Sequence, residues 1–558
     1  MHKNRFCTFT LIAALAIAAL PASLAAAGEG GATTSASALS LPVQQNMTLT
    51  ITPNSSDSYD PKEAAFTAYR VMSFTQQEDG NWVWNVVNGF EIPGNINFSP
   101  DALGSYPASK LQNLADRLAL QVDENMTDKL DQQTLSNGSC SWTTNKAGIY
   151  LVCETQTSPG NFPSEPFLIA LPYTDADSDN SWNYSLIASP KGSTIGLEKV
   201  ISNAAGSYLN TSGHDADIDT VAVGDTVDYR ITTRIPAYTD VYFEGTNEPT
   251  FQLVDVMAKG LTLTQSSIRL EMDHDPLVCG EDYSQEIGID DTTGVTTITI
   301  DLSGAYLSNA EHHNQELILS FSAVVNDLVS LADNGNENTV TLNYSYDPNH
   351  PDDTNQIDDE AVVYSFGIEV EKFDGDSDAQ TKTMLQGAEF ALFKETSKGC
   401  SAASALAQEP YREVGVTDEN GILDFRGLDA GTYYLKEVKA PDGYSLLMNP
   451  IKIEIIPSPD GSGKEPNKLT SPDYLAKVNG TEVTAGSSAG TSRILSASNR
   501  EETVVVSAAN HHGFTLPNTG GRGIVLILVI SAAGLITATF LYVKGGRDKN
   551  IKRTVQGN

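Results

Sequence analysis

Basic side chains are scarce in this chain. Its 558 residues hold 34 Lys and Arg against 71 Asp and Glu, a formal net charge of −37. No basic face is available to neutralise phosphates, which excludes nucleic acid as a partner. Cysteine is scarcer still, at five residues, and none stands in the C-x-x-C spacing of a zinc or redox site. No H-E-x-x-H metalloprotease motif occurs and no pairing of nucleophile with base emerges, so neither an enzyme with turnover nor a cofactor is expected. Acidic turns at Asp175–Asp179 and Asp374–Asp378 lack the Gly at position six and the Glu at position twelve of an EF-hand. The pairs His312-His313 and His511-His512 are adjacent, and neighbours on a strand point to opposite faces. No metal is therefore expected.

Long apolar runs are confined to the two ends. Phe9 to Leu20 follows Lys3 and Arg5 and precedes Ala25 and Ala27 at an A-x-A spacing, which reads as a secretory signal peptide over residues 1–27. Cys7 leaves with it. Ile524 to Val543 is free of charge and, at 1.5 Å per residue, just crosses a bilayer core of roughly 30 Å. The tail 544–558 carries Lys544, Arg547, Lys549, Lys552 and Arg553 against Asp548, so it is expected to stay in the cytoplasm. Outside the membrane a pair of cysteines can oxidise. Cys140 and Cys153 bracket a segment able to turn back as a hairpin and form one candidate disulfide; Cys279 and Cys400 form the other.

Between the ends, the pattern is one of short apolar alternations broken by Gly, Asn, Asp and Pro, which favours an all-β chain of sandwiches. After a Gly-, Ala-, Ser- and Thr-rich leader, strands are expected at Thr48–Thr52, Phe66–Phe74, Trp82–Val87, Tyr150–Glu154 and Phe167–Leu171. Leu111, Leu114 and Leu118, spaced by three and four, predict one helix around Ser109–Gln121. Ser189-Pro190-Lys191-Gly192-Ser193 reads as a linker that closes a first domain, 28–192. A second, 193–364, has strand candidates at Thr226–Thr233, Thr250–Val256, Thr296–Leu302, Leu317–Val325 and Thr339–Tyr346. A third, 365–514, opens on Phe366–Phe373, turns at Asp418–Gly421 and continues through Thr432–Val438 to Thr503–Ala508.

Three sets of residues carry a resemblance. Leu516-Pro517-Asn518-Thr519-Gly520, followed by the apolar run and the basic tail, resembles the sorting signal of Gram-positive surface proteins. Gly431 to Tyr444, around Glu437, resembles the E-box of Cna B-type domains, and Leu385-Gln386-Gly387-Ala388-Glu389-Phe390 resembles their LxGAxF strand. Together they resemble the backbone pilins of Gram-positive sortase-assembled pili, of the SpaA type. The resemblance implies three tandem Ig-like sandwiches of Cna A and B type. It also implies intramolecular Lys–Asn isopeptide bonds. In the third domain these roles fall to Lys372 as amine, Glu437 as acid and Asn510 as carboxamide, with Asn499 the competitor. In the second they fall to Lys199, Asp255 and Asn338, with Asn336 the alternative; Lys259-Gly260-Leu261-Thr262 looks like the end of the family's DxxxxGLT segment.

The residue types suit that chemistry. An amine attacks only when neutral, and burial lowers the lysine pKa. A buried acid is pushed toward its protonated form and can polarise the carboxamide while moving protons. The first domain keeps an E-box-like glutamate, Glu154, but its opening strand Met47–Thr52 has no lysine, so no bond is expected there. Trp182 to Lys191 resembles the pilin motif W-x-x-x-V-x-V-Y-P-K, with Leu186, Ala188 and Ser189 departing from it, and this makes Lys191 the linkage amine. By resemblance, a pilus sortase attacks Thr519, and Lys191 of an identical subunit receives the acyl group. A housekeeping sortase joins the base to peptidoglycan, and minor tip and basal pilins complete the fibre. The precursor would sit transiently in the plasma membrane and the product on the cell surface. The rival reading is a single-copy wall-anchored adhesin for a host matrix protein or glycan.

Overall fold

The computed structural model describes residues 45–513, apart from 54–60, 77–81, 94–105, 124, 158–160, 175–181, 191, 204–214, 245–247, 332–334, 349–352, 379–380, 396–400, 458–473, 485–490 and 498–499, together with a helix at 530–544. The signal segment, Lys191, Cys400, Asn499, Leu516–Gly520 and the basic tail beyond Lys544 thus lie outside the described residues. Residues 530–544 cover part of the expected span. Among the described residues no helix is long and apolar enough to cross a membrane. The chain falls into two compact units whose main division is at Ser365 and Phe366.

The first unit contains two sandwiches. In the first, β1 (Met47–Ile51) buries Met47, Leu49 and Ile51 and turns Thr48 and Thr50 outward, the period of two in its sequence. Its companions are β2 (Ala65–Gln76), α1 (Ala108–Ala119), β3 (Cys140–Thr144), β4 (Gly148–Gln156), β5 (Asn161–Phe162), β6 (Phe167–Leu171) and β7 (Ser185–Ala188). One sheet runs β7-β1-β3, with β1 parallel to β7 and antiparallel to β3. The other places β4 between β2 and β6. That second sheet is buried on both faces. Tyr150 and Val152 face Leu49, Ile51 and Trp142, whereas Ile149, Leu151 and Cys153 face Leu111, Leu114 and Leu118 of α1. The helix expected from those leucines is therefore present, and its apolar stripe is what covers the outer face of β4.

The two cysteines do not form the expected disulfide. No hairpin joins them: β3 pairs with β1, and β4 pairs with β2 and β6, so consecutive strands belong to different sheets. Cys140 points into the core between the sheets and Cys153 toward α1 on the far side. Both are buried free thiols, pushed up by burial to about 11 and about 12. Cys279 is an exposed free thiol.

The linker region contributes its own strand, β8 (Ser193–Thr194), which pairs with β5. Beyond it come β9 (Leu197–Ile201), β10 (Thr226–Arg234), β11 (Phe251–Met257), β12 (Thr296–Leu302), β13 (Glu316–Val325), β14 (Asn336–Ser345) and β15 (Thr354–Tyr364). One sheet contains β9-β10-β13 and the other β15-β14-β11-β12. Alternation along β10, β11, β12, β13 and β14 is nearly unbroken, and it brings Tyr229, Ile231, Phe321, Leu253, Ile298 and Leu342 into one core. Each such side chain contributes about 1.5–3 kcal/mol by leaving water. A short strand, Ile218–Thr220, runs parallel to the end of β15. Phe162 from β5 packs on Tyr238 and Tyr242, with ring centroids 5.5 and 6.1 Å apart, and the Tyr344 hydroxyl donates to the Asn161 carbonyl at 3.0 Å. These contacts join the first two sandwiches.

The second unit is built on β16 (Phe366–Asp374), β17 (Glu389–Lys394), β18 (Gly431–Lys439), β19 (Ile451–Pro457), β20 (Arg493–Ala497) and β21 (Arg500–Asn510). β16 is parallel to β21, from Gly367 opposite Thr503 to Asp374 opposite Asn510. β17-β18-β19 belong to the second sheet. β16 is buried along its whole length, so its charges need partners. The Arg493 guanidinium grips both oxygens of Glu371 at 2.9 Å each. The expected turn forms at Asp418, whose Oδ1 accepts from the N–H groups of Asn420 and Ile422. Gly421 follows at φ +73°, and a Cβ there would lie 2.5 Å from the Lys372 carbonyl oxygen. Only glycine permits that close approach to β16.

Candidate functional site

In the second unit three residues distant in sequence meet in a buried pocket. Lys372 lies near the end of β16, Asn510 ends the neighbouring strand β21, and Glu437 comes from β18 in the other sheet. They are 0, 1 and 2% exposed. Lys372 Nζ donates to Asn510 Oδ1 at 2.5 Å and lies 3.0 Å from Glu437 Oε1. Asn510 Nδ2 donates to the same Glu437 oxygen at 2.9 Å, while the Leu447 N–H holds the other at 2.7 Å. The amine sits 5.4 Å from the Phe390 ring centroid. Burial lowers the Lys372 pKa, and Glu437 opposes that shift. Amine, carboxamide and acid are thus mutually in contact, the arrangement that amide exchange requires.

The middle sandwich assembles the same three functions differently. Lys199 is on β9 in one sheet; Asp255 on β11 and Asn338 on β14 are in the other. All three are fully buried. Lys199 Nζ pairs with Asp255 Oδ2 beneath the rings of Tyr229 and Phe321, 5.3 and 5.5 Å away. Asn338 sits on the strand next to Asp255, opposite Met257, and its carboxamide atoms make no hydrogen bond of good geometry. Asn336, the alternative, is committed elsewhere: its side chain bonds the Ser330 N–H and carbonyl at 2.8 and 3.0 Å and the Val363 carbonyl at 3.2 Å. Burial lowers the Lys199 pKa and raises that of Asp255; their mutual attraction opposes both shifts.

Among the described residues, Glu154 of the first sandwich has no such companions. Its Oε2 accepts from the Ser164 N–H at 2.7 Å, and burial pushes its carboxyl up to about 7. It lines a cavity of about 550 Å³ between the first two sandwiches, together with Asp116, Glu165, Tyr242 and Asp347. Burial also pushes Asp116, on α1, up to about 7. The aromatic rings over the two amines and the Leu447 N–H behind Glu437 were missed from sequence. Alternation along β10 and β13 carries the signal for Tyr229 and Phe321; nothing local marks Leu447.

Comparison with known proteins bears on these same segments. Residues 368–464 match the SpaA prealbumin-like fold domain, and residues 223–348 match the Cna-B-like domain of Gram-positive pilin backbone subunit 2. Lys372 and Glu437 fall within the first matched segment and Asp255 and Asn338 within the second, whereas Asn510 and Lys199 lie outside both. The chain is 24% identical over 453 residues to the fimbrial subunit type 1 of Actinomyces viscosus, covering 72% of this chain and 73% of that protein. It is 25% identical over 333 residues to the trypsin-resistant surface T6 protein of Streptococcus pyogenes serotype M6, covering 55% and 56%. The solved T6 backbone pilin of S. pyogenes serotype M6, described as a modular three-domain structure, superposes with a TM-score of 0.56 at 17% identity, over 85% of this chain and 100% of that one. That likeness is one of fold.

Proposed function

We propose that the chain is the backbone subunit of a covalent surface pilus, stabilised by two internal Lys–Asn isopeptide bonds. The observation that carries this reading is the buried Lys–acid–Asn set, present in both the second and the third sandwich. In the third sandwich the neutral Lys372 amine attacks Cγ of Asn510. Glu437, within reach of both nitrogens, takes the proton from the amine and returns it to the departing NH2. One C–N bond forms, one breaks, and ammonia leaves. In the middle sandwich Lys199, Asp255 and Asn338 play the same parts. The chain is thus a substrate that alters itself once and does not turn over.

Polymerisation uses the two positions outside the described residues. A pilus sortase cleaves after Thr519 and transfers its acyl group to Lys191 of the next copy; a housekeeping sortase attaches the last copy to peptidoglycan. The strand β8, which begins two residues after Lys191, pairs with β5 where the first two sandwiches meet. The test is electrophoresis of surface material in SDS. Wild type gives a high-mass ladder that Lys191→Ala collapses to monomer. A ladder that persists in Lys191→Ala removes this lysine from the linkage, and no ladder in wild type leaves the single-copy adhesin.

A further inference from the structure

Just beyond the Lys372 pocket, the fold gathers a second set of polar groups that the bond does not use. Asp374 ends β16, Asp376 lies in the turn after it, and His512 follows β21 by two residues. One carboxylate oxygen from each aspartate and one ring nitrogen of His512 lie within 4.8 Å of one another. His512 Nε2 and Asp374 Oδ2 are 3.6 Å apart, too far for a hydrogen bond. Ligand atoms around a tetrahedral ion with bonds of about 2.0–2.2 Å stand roughly 3.3–3.6 Å apart, so the pair has the spacing of co-ligands.

The surroundings hold these groups in place. The His512 ring stacks on Tyr444, centroids 4.6 Å apart and planes 23° from parallel. Asp376 Oδ2 accepts from the His512 N–H at 2.9 Å, and Asp376 Oδ1 contacts His511 Nδ1 at 2.7 Å. An ionised carboxylate keeps further lone pairs for a cation while accepting these bonds. The two histidines therefore divide the work: His511 orients Asp376, and His512 presents its own nitrogen beside Asp374. Partners bound to a ligand carboxylate in this way are common around metal ions.

We propose that Asp374, Asp376 and His512 bind a divalent transition-metal ion. Imidazole with carboxylates suits zinc or manganese better than calcium, which takes oxygen ligands alone. The site draws two of its three ligands from aspartates, in a chain whose overall field attracts cations. The ion ties the chain leaving β21 to the end of β16.

Calorimetric titration of the purified secreted chain with zinc chloride tests this. One ion per chain is expected, with affinity lowered at least tenfold in His512→Ala and in Asp374→Asn and unchanged in the control His313→Ala. The unaltered chain supplies a second readout that no misfolded variant can confuse: zinc protects His512 from diethyl pyrocarbonate, read by peptide mass spectrometry. Absence of saturable binding, equal affinity in both ligand variants, or equal labelling of His512 with and without zinc would overturn the proposal.

Discussion

Lys199 and Lys372 are each 0% exposed, and an ammonium removed from water costs several kcal/mol even after the protein relaxes around it. Each has an acid in contact and a pKa lowered by burial, which favours the neutral amine, and at Lys372 the Asn510 carboxamide lies beside it. Two bonds would reduce the mass of the secreted chain by about 34 Da, about 17 Da for each ammonia lost in the intramolecular step. Intact mass of Asn510→Ala is expected to show one such loss, and of the double variant with Asn338→Ala none. Glu437→Ala should also prevent the loss in the third sandwich. It leaves Lys372 buried without its acid, so the unfolding free energy of that unit drops by about 3–5 kcal/mol. A Glu437→Ala chain that still loses both ammonias would remove this glutamate from the chemistry. At this scale a motif marked Glu437 and the opening strand marked Lys372, and the fold brings both against Asn510, which no motif surrounds. Asp374 and His512 stood in two separate patterns, neither of which by itself suggested a metal. They lie 138 positions apart, and only the parallel pairing of β16 with β21 brings them together.

Strands were legible because one face of each is buried. Phe167–Leu171 and Thr296–Leu302 have the expected bounds, and the others differ by a few residues at their ends. Pairing was not legible. The spacing of Cys140 and Cys153 suits a hairpin, but local sequence does not record that β3 and β4 enter different sheets. Burial also has consequences that belong to elements. α1 and β4 carry Asp116 and Glu154 to the wall of the same cavity, and both carboxyls are raised to about 7. The folded chain thus keeps protons that the unfolded chain, with carboxyls near 4, has already released. Stability contributed by these groups is highest below about pH 4 and falls as pH rises to about 7. Asp116→Asn should flatten that fall, by on the order of 2–4 kcal/mol across the window. All four tryptophans, Trp82, Trp84, Trp142 and Trp182, lie in the first sandwich, so fluorescence-detected unfolding at pH 5 and pH 8 reports on it alone. An unchanged difference between the two pH values in Asp116→Asn would refute the assignment.

Across the whole molecule, one pairing recurs in every sandwich. β1 is parallel to β7, Ile218–Thr220 is parallel to the end of β15, and β16 is parallel to β21. An early strand and a late strand that run side by side in the same direction place the entering and leaving chain at opposite poles. For β16 that separation is about 30 Å, at roughly 3.3 Å per residue. Tension applied through the chain then acts along the shared ladder and not across it. The rungs from Gly367–Thr503 to Asp374–Asn510 are sheared together, so none can open ahead of the others. Lys372 and Asn510 stand at the far end of that ladder, where the chain departs. A covalent link there would carry the pull directly from β16 to the exit and leave the rest of the sandwich outside the path of the force.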